Sequence, residues 1–223
     1  SGTKKAEQNQ VWVGLSKETA HQLGTPISSL LAWVDLLKMR HKEDKLIGEM
    51  EKDVNRLRII AERFSKIGSK PDLQLVSINE TLFNAVQYMS NRSSQKVAIS
   101  CHFVSEEHLF IKLNVPLFEW VIENLCKNAI DAMDGIGKID IFVGTENEEL
   151  IIDVKDTGKG IEKRKFKVIF TPGFTTKKRG WGLGLSLAKR IIEEYHGGKI
   201  FVKQSDLNAG TVFRIVLKLN SNS

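Results

Sequence analysis

Cysteine is scarce: the 223-residue chain has only Cys101 and Cys126. They lack the spacing of metal ligands and make no disulfide framework. A zinc module and a disulfide-stapled secreted domain are therefore excluded, and a reducing cytoplasm is the expected home. Long apolar runs are missing too. None approaches the ~20 residues that span a bilayer, and no signal peptide is visible. Ser1-Gly2-Thr3-Lys4-Lys5 reads as a linker edge, so membrane contact is expected only through segments upstream. Aromatic residues make up 8% and are not interleaved with the basic ones. The net charge of +6 is spread along the chain, which argues against nucleic acid and for a solvated surface with some lysines near phosphate. No internal repeat or low-complexity segment occurs. With 41% hydrophobic and 27% charged residues the chain is globular, long enough for one large domain or two smaller ones.

What is present begins with a helical period. Ala20, Leu23, Ile27, Leu30, Val34 and Leu37 follow alternating three- and four-residue steps. Ile47, Met50, Val54, Leu57, Ala61 and Phe64 do the same. This predicts two helices over 6–67 joined by a polar turn at Arg40–Asp44, with a coiled-coil seam. Each aliphatic side chain buried there stabilises by ~1.5–3 kcal/mol. One hairpin buries too little for a stable core. A second copy, completing a four-helix bundle, is the simplest remedy, so a homodimer through the hairpin is expected.

Gly68-Ser-Lys-Pro71-Asp72 marks a boundary, and 73–220 mixes strands with helices. Strands are expected at Leu73–Ser77, Val97–Val104, Leu109–Leu113, Lys138–Gly144, Leu150–Lys155, Lys199–Gln204 and Thr211–Leu219. Leu109–Leu113 is a candidate partner of Val97–Val104, and Lys138–Gly144 forms a hairpin with Leu150–Lys155. Helices are expected at Ile78–Met89, Pro116–Met133 and Gly182–Tyr195. Antiparallel strands with helices on one face describe an α+β sandwich.

Several short motifs carry chemistry. Asn124, Asn128 and Asp131 share a face of the Pro116–Met133 helix, at steps of four and three. Carboxamide oxygens are hard ligands that suit Mg²⁺. Alone, the pair fits a solvated helix face equally. Asp156-Thr-Gly-Lys-Gly160 follows a strand directly. Its glycines permit a tight turn, and its carboxylate can accept from an exocyclic amine, although an ordinary Asp/Gly turn reads the same. Gly180, Gly182 and Gly184 precede a helix whose first amides and dipole attract phosphate. No strand comes before them, so a dinucleotide-binding reading fails. Thr171–Arg179 is a basic, lid-like run from which Lys177 or Arg179 could reach phosphate; surface lysines are the plainer reading. His21 lies one residue past the seam and should face outward. Gly24 and Pro26 weaken the helix just after it, and neutral imidazole is a nucleophile near neutral pH.

Taken in order, these motifs make the chain resemble the sensor histidine kinases of two-component signalling, from about residue 6 to 219. His21-Gln-Leu-Gly-Thr-Pro26 resembles their phosphoacceptor H box, Asn124–Ala132 the N box and Asp156–Gly160 the G1 box. Phe170–Lys177 resembles the F box, Gly180–Leu185 the G2 box and Gly210–Phe213 the last glycine-containing strand. The resemblance implies a dimeric helical hairpin followed by an ATP-binding α+β domain of the histidine kinase and gyrase type. It implies ATP and Mg²⁺, with autophosphorylation of His21 and transfer to an aspartate on a response regulator receiver domain. Asp156 would bind the adenine amine, Asn128 would hold Mg²⁺, and Asn124, Lys127 and Asp131 would support the pocket. Gly158 and Gly160 would shape the adenine wall, and Thr211 would close its side. Lys177, Gly182, Leu183, Gly184 and Leu185 would meet the phosphates. Thr25 matches a position that in many relatives helps dephosphorylate the regulator.

One departure concerns activation of His21. Many relatives carry Glu or Asp directly after the histidine; here it is Gln22, which cannot take up a proton. A positioned base contributes ~10²–10⁴ in rate. Glu18, three residues before His21 on the same helical face, is a candidate replacement. The alternative is an ATP-binding regulatory dimer with weak or no kinase activity. A gyrase-like ATPase ranks below both, because Glu123 points about 100° away from Asn124 around the helix. Trp181, within the glycine run, is the other departure.

Overall fold

The computed structural model describes residues 2–67, 72–174 and 184–219, with the backbone alone at 5, 6 and 8–18. The chain divides into two units, Ser1–Pro71 and Asp72–Ser223.

The first unit is a hairpin of α1 (Gly2–Arg40) and α2 (Lys45–Ile67). α1 runs through both Gly24 and Pro26 without ending. The turn closes where Asp44 accepts the Leu46 amide at 2.9 Å, satisfying an open donor of α2. Ile27, Val34, Ile47, Val54 and Ala61 form the buried cluster, with Leu31 and Leu37 packed against it. The seam expected from the sequence is thus only half used. Leu23, Leu30, Met50 and Leu57 remain 38–46% exposed. A helix meets a single partner along one line, and the rest of a wide apolar stripe faces elsewhere. Trp33, Leu36, Met39 and Leu46 extend the exposed apolar surface.

The second unit holds β1 (Gln74–Ser77), α3 (Ile78–Arg92), β2 (Val97–Phe103), β3 (Phe110–Leu113) and α4 (Val115–Ala132). The hairpin β4 (Gly137–Glu146) and β5 (Glu149–Asp156) follows, then α5 (Gly184–Arg190), β6 (Lys199–Asp206) and β7 (Gly210–Lys218). The main sheet has the order β2-β4-β5-β7-β6. Two expectations are corrected. β3 pairs with β1, not with β2. β2 lies parallel to β4, so the sheet is mixed. The reason is topological: the β2–β4 connection runs through α4, and a helical crossover brings the next strand back in the same direction.

Alternation then builds the layers. Ile139, Ile141 and Val143 of β4, Leu150, Ile152 and Val154 of β5, and Phe213, Ile215 and Leu217 of β7 are all buried. α3, α4 and α5 pack on the sheet from that side. On the opposite face the cross-strand partners Asp153 and Arg214 make a two-pronged ion pair, both contacts 2.8 Å. Among the described residues, no helix is long and apolar enough to cross a membrane.

Helix starts are set by short polar side chains. Ser77 accepts the Glu80 amide at 3.3 Å to cap α3. Asn114 accepts the Leu117 amide at 3.2 Å to cap α4, and Pro116 occupies the first turn, where its missing N–H costs nothing. Asn114 also ties three segments together. Its side chain donates to the Asp72 carbonyl at 3.1 Å, and its backbone N–H donates to His196 Nε2 at 3.1 Å. His196 must therefore carry its proton on Nδ1, which donates to the Ile191 carbonyl at 2.8 Å. α5 reaches this ring through a single π-helical turn, Ile191–Tyr195.

Burial pushes the His196 pKa below its usual 6.5, against the opposing effect of the Ile191 bond. The folded state thus prefers the neutral ring. Its contribution to stability is complete above the usual histidine value and is lost as pH falls through the lowered one. Protonated Nε2 would set an N–H against the Asn114 N–H. The thermal midpoint should therefore fall as pH drops below the usual histidine value, more steeply in the parent than in His196→Gln. Equal pH profiles for the two proteins would refute this.

Candidate functional site

β5 points Leu150, Ile152 and Val154 inward, and the next inward position is Asp156. A carboxylate at a core position needs partners. Asp156 is only 3% exposed, and Oδ1 accepts from the Gly158 amide at 2.8 Å and the Thr211 amide at 3.2 Å. Burial still pushes its pKa up, outweighing the two amides. The ionised group therefore costs stability at neutral pH, which makes Asp156 a candidate functional group.

The turn after Asp156 is clamped from several sides. The Lys159 amide donates to the Ala132 carbonyl at the end of α4, 2.9 Å, and the Asn208 amide donates to the Lys159 carbonyl, 2.8 Å. Thr157 Oγ1 accepts the Lys138 amide at 3.1 Å and donates to Met133 Sδ at 3.2 Å. Gly158 and Gly160 are required here by protein backbone. A Cβ on Gly158 would lie 2.8 Å from the Ala132 carbonyl group. One on Gly160, at φ +77°, would lie 2.2 Å from the Asp206 oxygen.

α4 supplies the second wall. Asn124 and Asn128 are half-buried and Asp131 is exposed along one stripe of the helix. The Asn124 amide donates to the Gly184 carbonyl at 3.3 Å, joining α4 to the start of α5. Leu185 is half-buried in that first turn. Lys127 departs from the group: its ammonium sits 2.9 Å from Glu123, one turn back. Phe170 is buried, edge-on to Phe213 with ring centres 6.1 Å apart, and Lys189 lies 5.6 Å from its centre. Thr211 is buried beside Asp156. Lys177, Gly182 and Leu183 lie outside the described residues, as do Arg179, Gly180 and Trp181.

In the first unit, His21, Gln22 and Thr25 are exposed on α1. Glu18 belongs to the same helix, but its side chain lies outside the description. Among the described residues, no group of three His, Cys, Asp or Glu could hold a metal ion. The Asn128 carboxamide is a hard oxygen donor on its own, which fits an ion such as Mg²⁺ that takes its other ligands from phosphate and water.

Sequence reading missed Asn114, His196 and Ser205. The Asn-x-Pro start of α4 is a cap signal that would have found the first. Nothing local flags the other two, since His196 depends on Asn114, 82 positions away, and Ser205 on the irregular register of β6.

Residues 114–221 match the family described as histidine kinase-, DNA gyrase B- and HSP90-like ATPase. The chain is 30% identical over 215 residues to Sporulation kinase D of Bacillus subtilis (strain 168), covering 93% of this chain and 42% of that protein. It is 33% identical over 224 residues to Sensor histidine kinase ZraS of Salmonella typhimurium, covering 96% of this chain and 47% of that protein. Over nearly its whole length the chain is similar to sensor histidine kinases. It spans less than half the length of these two curated relatives. The catalytic domain of histidine kinase ThkA matches with a TM-score of 0.60 at 29% identity, over 66% of this chain and 96% of that one. The second unit is therefore an ATP-binding α+β domain of the histidine kinase and gyrase type.

Asp156→Asn keeps an acceptor at Oδ1 and removes the buried charge. It should raise the thermal midpoint of the unliganded chain at neutral pH, and the gain should shrink as pH falls toward the raised pKa. Asp156→Ala, which strips two amides of their acceptor, should lower the midpoint. A midpoint for Asp156→Asn below that of the parent would contradict the electrostatic reading.

Proposed function

We propose that this chain is an ATP-dependent protein-histidine kinase that phosphorylates His21 and passes the phosphoryl group to an aspartate of a response regulator. One observation carries the proposal: a buried carboxylate, Asp156, at the end of an inward strand in an ATPase-type domain, in the same chain as an exposed histidine on a hairpin. Asp156 binds the adenine amine and Thr211 closes that side. Asn128 holds Mg²⁺, with Asn124 fixing α4 to the α5 turn. Lys127 and Asp131 flank this stripe. Gly158 and Gly160 hold the base-side turn in shape. Gly184 and Leu185, with Lys177, Gly182 and Leu183, face the phosphates.

A neutral ring nitrogen of His21 attacks the γ-phosphorus. The bond from that phosphorus to the β–γ bridging oxygen breaks, and ADP leaves with the electron pair. The ring proton goes to a base, for which Glu18 stands one helical turn away, while the Gln22 carbonyl can orient the ring. The regulator's aspartate then attacks the same phosphorus and the N–P bond breaks. Thr25, one turn after His21, takes the reverse role of directing water at the phosphorylated regulator. Mg²⁺, when bound, supplies charge neutralisation on the phosphates.

A homodimer through the hairpin is part of the proposal. Leu23, Leu30, Met50 and Leu57 continue the buried seam and stay exposed in one copy, as a second hairpin requires. The working place is the cytoplasm, where Cys101 and Cys126 stay free. The second reading, a nucleotide-binding regulatory dimer with weak kinase activity, draws on Gln22.

ATP labelled at the γ-phosphate should give an acid-labile, alkali-stable protein adduct, abolished by His21→Ala and by Asn128→Ala. Glu18→Gln should slow labelling about tenfold or more, with an unchanged rate removing Glu18 as the base. Acid-stable label that survives His21→Ala would indicate a hydroxyl acceptor. Nucleotide binding without label under any condition would favour the regulatory dimer. Sedimentation at micromolar concentration should return twice the chain mass, and a monomer there would remove the four-helix bundle.

A further inference from the structure

The Ser205 hydroxyl has one proton and three neighbours. The Ile161 amide donates to it at 2.7 Å. The Gly210 carbonyl lies 3.1 Å away and the Thr211 hydroxyl 2.7 Å away. A carbonyl only accepts, so the Ser205 proton goes to Gly210. The remaining contact forms only if Thr211 gives its own proton to Ser205. All three bonds exist together in this arrangement alone. Thr211 Oγ1 is then left with lone pairs and no proton for a further partner.

The placement of Ser205 is itself built into the strand. The register of β6 against β7 passes from Val202↔Phe213 to Gln204↔Val212 and Ser205↔Thr211, with an irregularity between Val202 and Gln204. Ile200 and Val202 face the core. Strict alternation would turn Gln204 inward and Ser205 outward. The extra residue of the bulge reverses this and sets Ser205 across from Thr211. Thr211 in turn alternates inward with Phe213 and Ile215, and its amide holds Asp156.

We propose that Ser205 is a positioning residue for base specificity: it fixes the Thr211 hydroxyl as a pure acceptor, so that Thr211 and Asp156 together select a 6-amino purine over a 6-oxo purine. This rests on the nucleotide site proposed above. An exocyclic amine offers two N–H groups to two acceptors. A 6-oxo group brings a third acceptor and finds no donor, which is discrimination by an unmet lone pair. Ser205 touches no ligand and acts through Thr211.

The test is binding of ATP and of inosine triphosphate to the full chain, by displacement of a fluorescent ATP analogue. Ser205→Ala frees the Thr211 proton, so the preference for ATP over inosine triphosphate should narrow about tenfold, the worth of one hydrogen bond to a desolvated partner. Ser205→Thr, which keeps the hydroxyl, should restore the parent preference. Thr211→Val removes the acceptor at constant shape and should narrow the preference as well. Adding Ser205→Ala to Thr211→Val should then leave the ratio unchanged, because the route through Thr211 is already gone. A purely structural Ser205 would weaken both nucleotides alike and leave the ratio at the parent value, which overturns the assignment. If Ser205→Ala fails to fold, a parent-like ratio in Thr211→Val overturns it equally. A parent chain that binds neither nucleotide overturns the nucleotide site itself, whereas a parent that binds ATP with an unaltered ratio in the variants overturns only the role of Ser205.

Discussion

Asp156 carries a charge where alternation calls for a core side chain, and much of the second unit is arranged around that conflict. Two amides, from Gly158 and Thr211, converge on one of its oxygens. Both must be held in place. The turn that brings Gly158 is fastened to the end of α4 through Lys159 and Thr157, and the strand that brings Thr211 is fastened to β6 through Ser205. Burial nevertheless keeps the carboxyl's pKa raised, so the fold is less stable with Asp156 ionised than it would be with a neutral acceptor. A ligand that donates to this carboxylate would recover part of that cost. The site is thus a local conflict at the end of a strand whose other inward positions, Leu150, Ile152 and Val154, are apolar.

The hairpin shows a different kind of incompleteness. Its apolar stripe is wider than one neighbouring helix can cover. Ile27, Val34, Ile47 and Val54 find each other inside one chain, while Leu30 and Leu57 of the same repeat remain near the surface. Burial of such side chains is the main source of stability for two helices of this size. The exposed half of the seam and the exposed His21 lie on the same two-helix unit.

Much of this was legible in order along the chain. The turn between α1 and α2, the β4–β5 hairpin and the Asn114-x-Pro116 start of α4 follow from period, turn residues and cap chemistry, all of which act over a few residues. Asp156 was legible for the same reason, being a carboxylate at the end of an alternating apolar run and followed by two glycines. Strand partnership was not. β3 joins β1 and β2 runs parallel to β4 because α4 crosses the sheet between them, and hydrophobic period is blind to which strand lies alongside which. The seam of α1 and α2 was read as one continuous line, and only packing separates its inner half from its outer half.

The amino-acid order by itself determined the succession of motifs, the two units and the residue types available for chemistry, since these depend on neighbours within a turn or a strand. Tertiary structure decided what those residues face. Gly158 and Gly160 are needed because α4 and β6 pass within a Cβ's reach. His196 holds one tautomer because Asn114, 82 positions earlier, donates to it. Ser205 meets Thr211 only because a single extra residue in β6 reverses the alternation. Hydrogen-bond direction and register are set by how strands and helices pair in space, and hydrophobic period alone does not encode them.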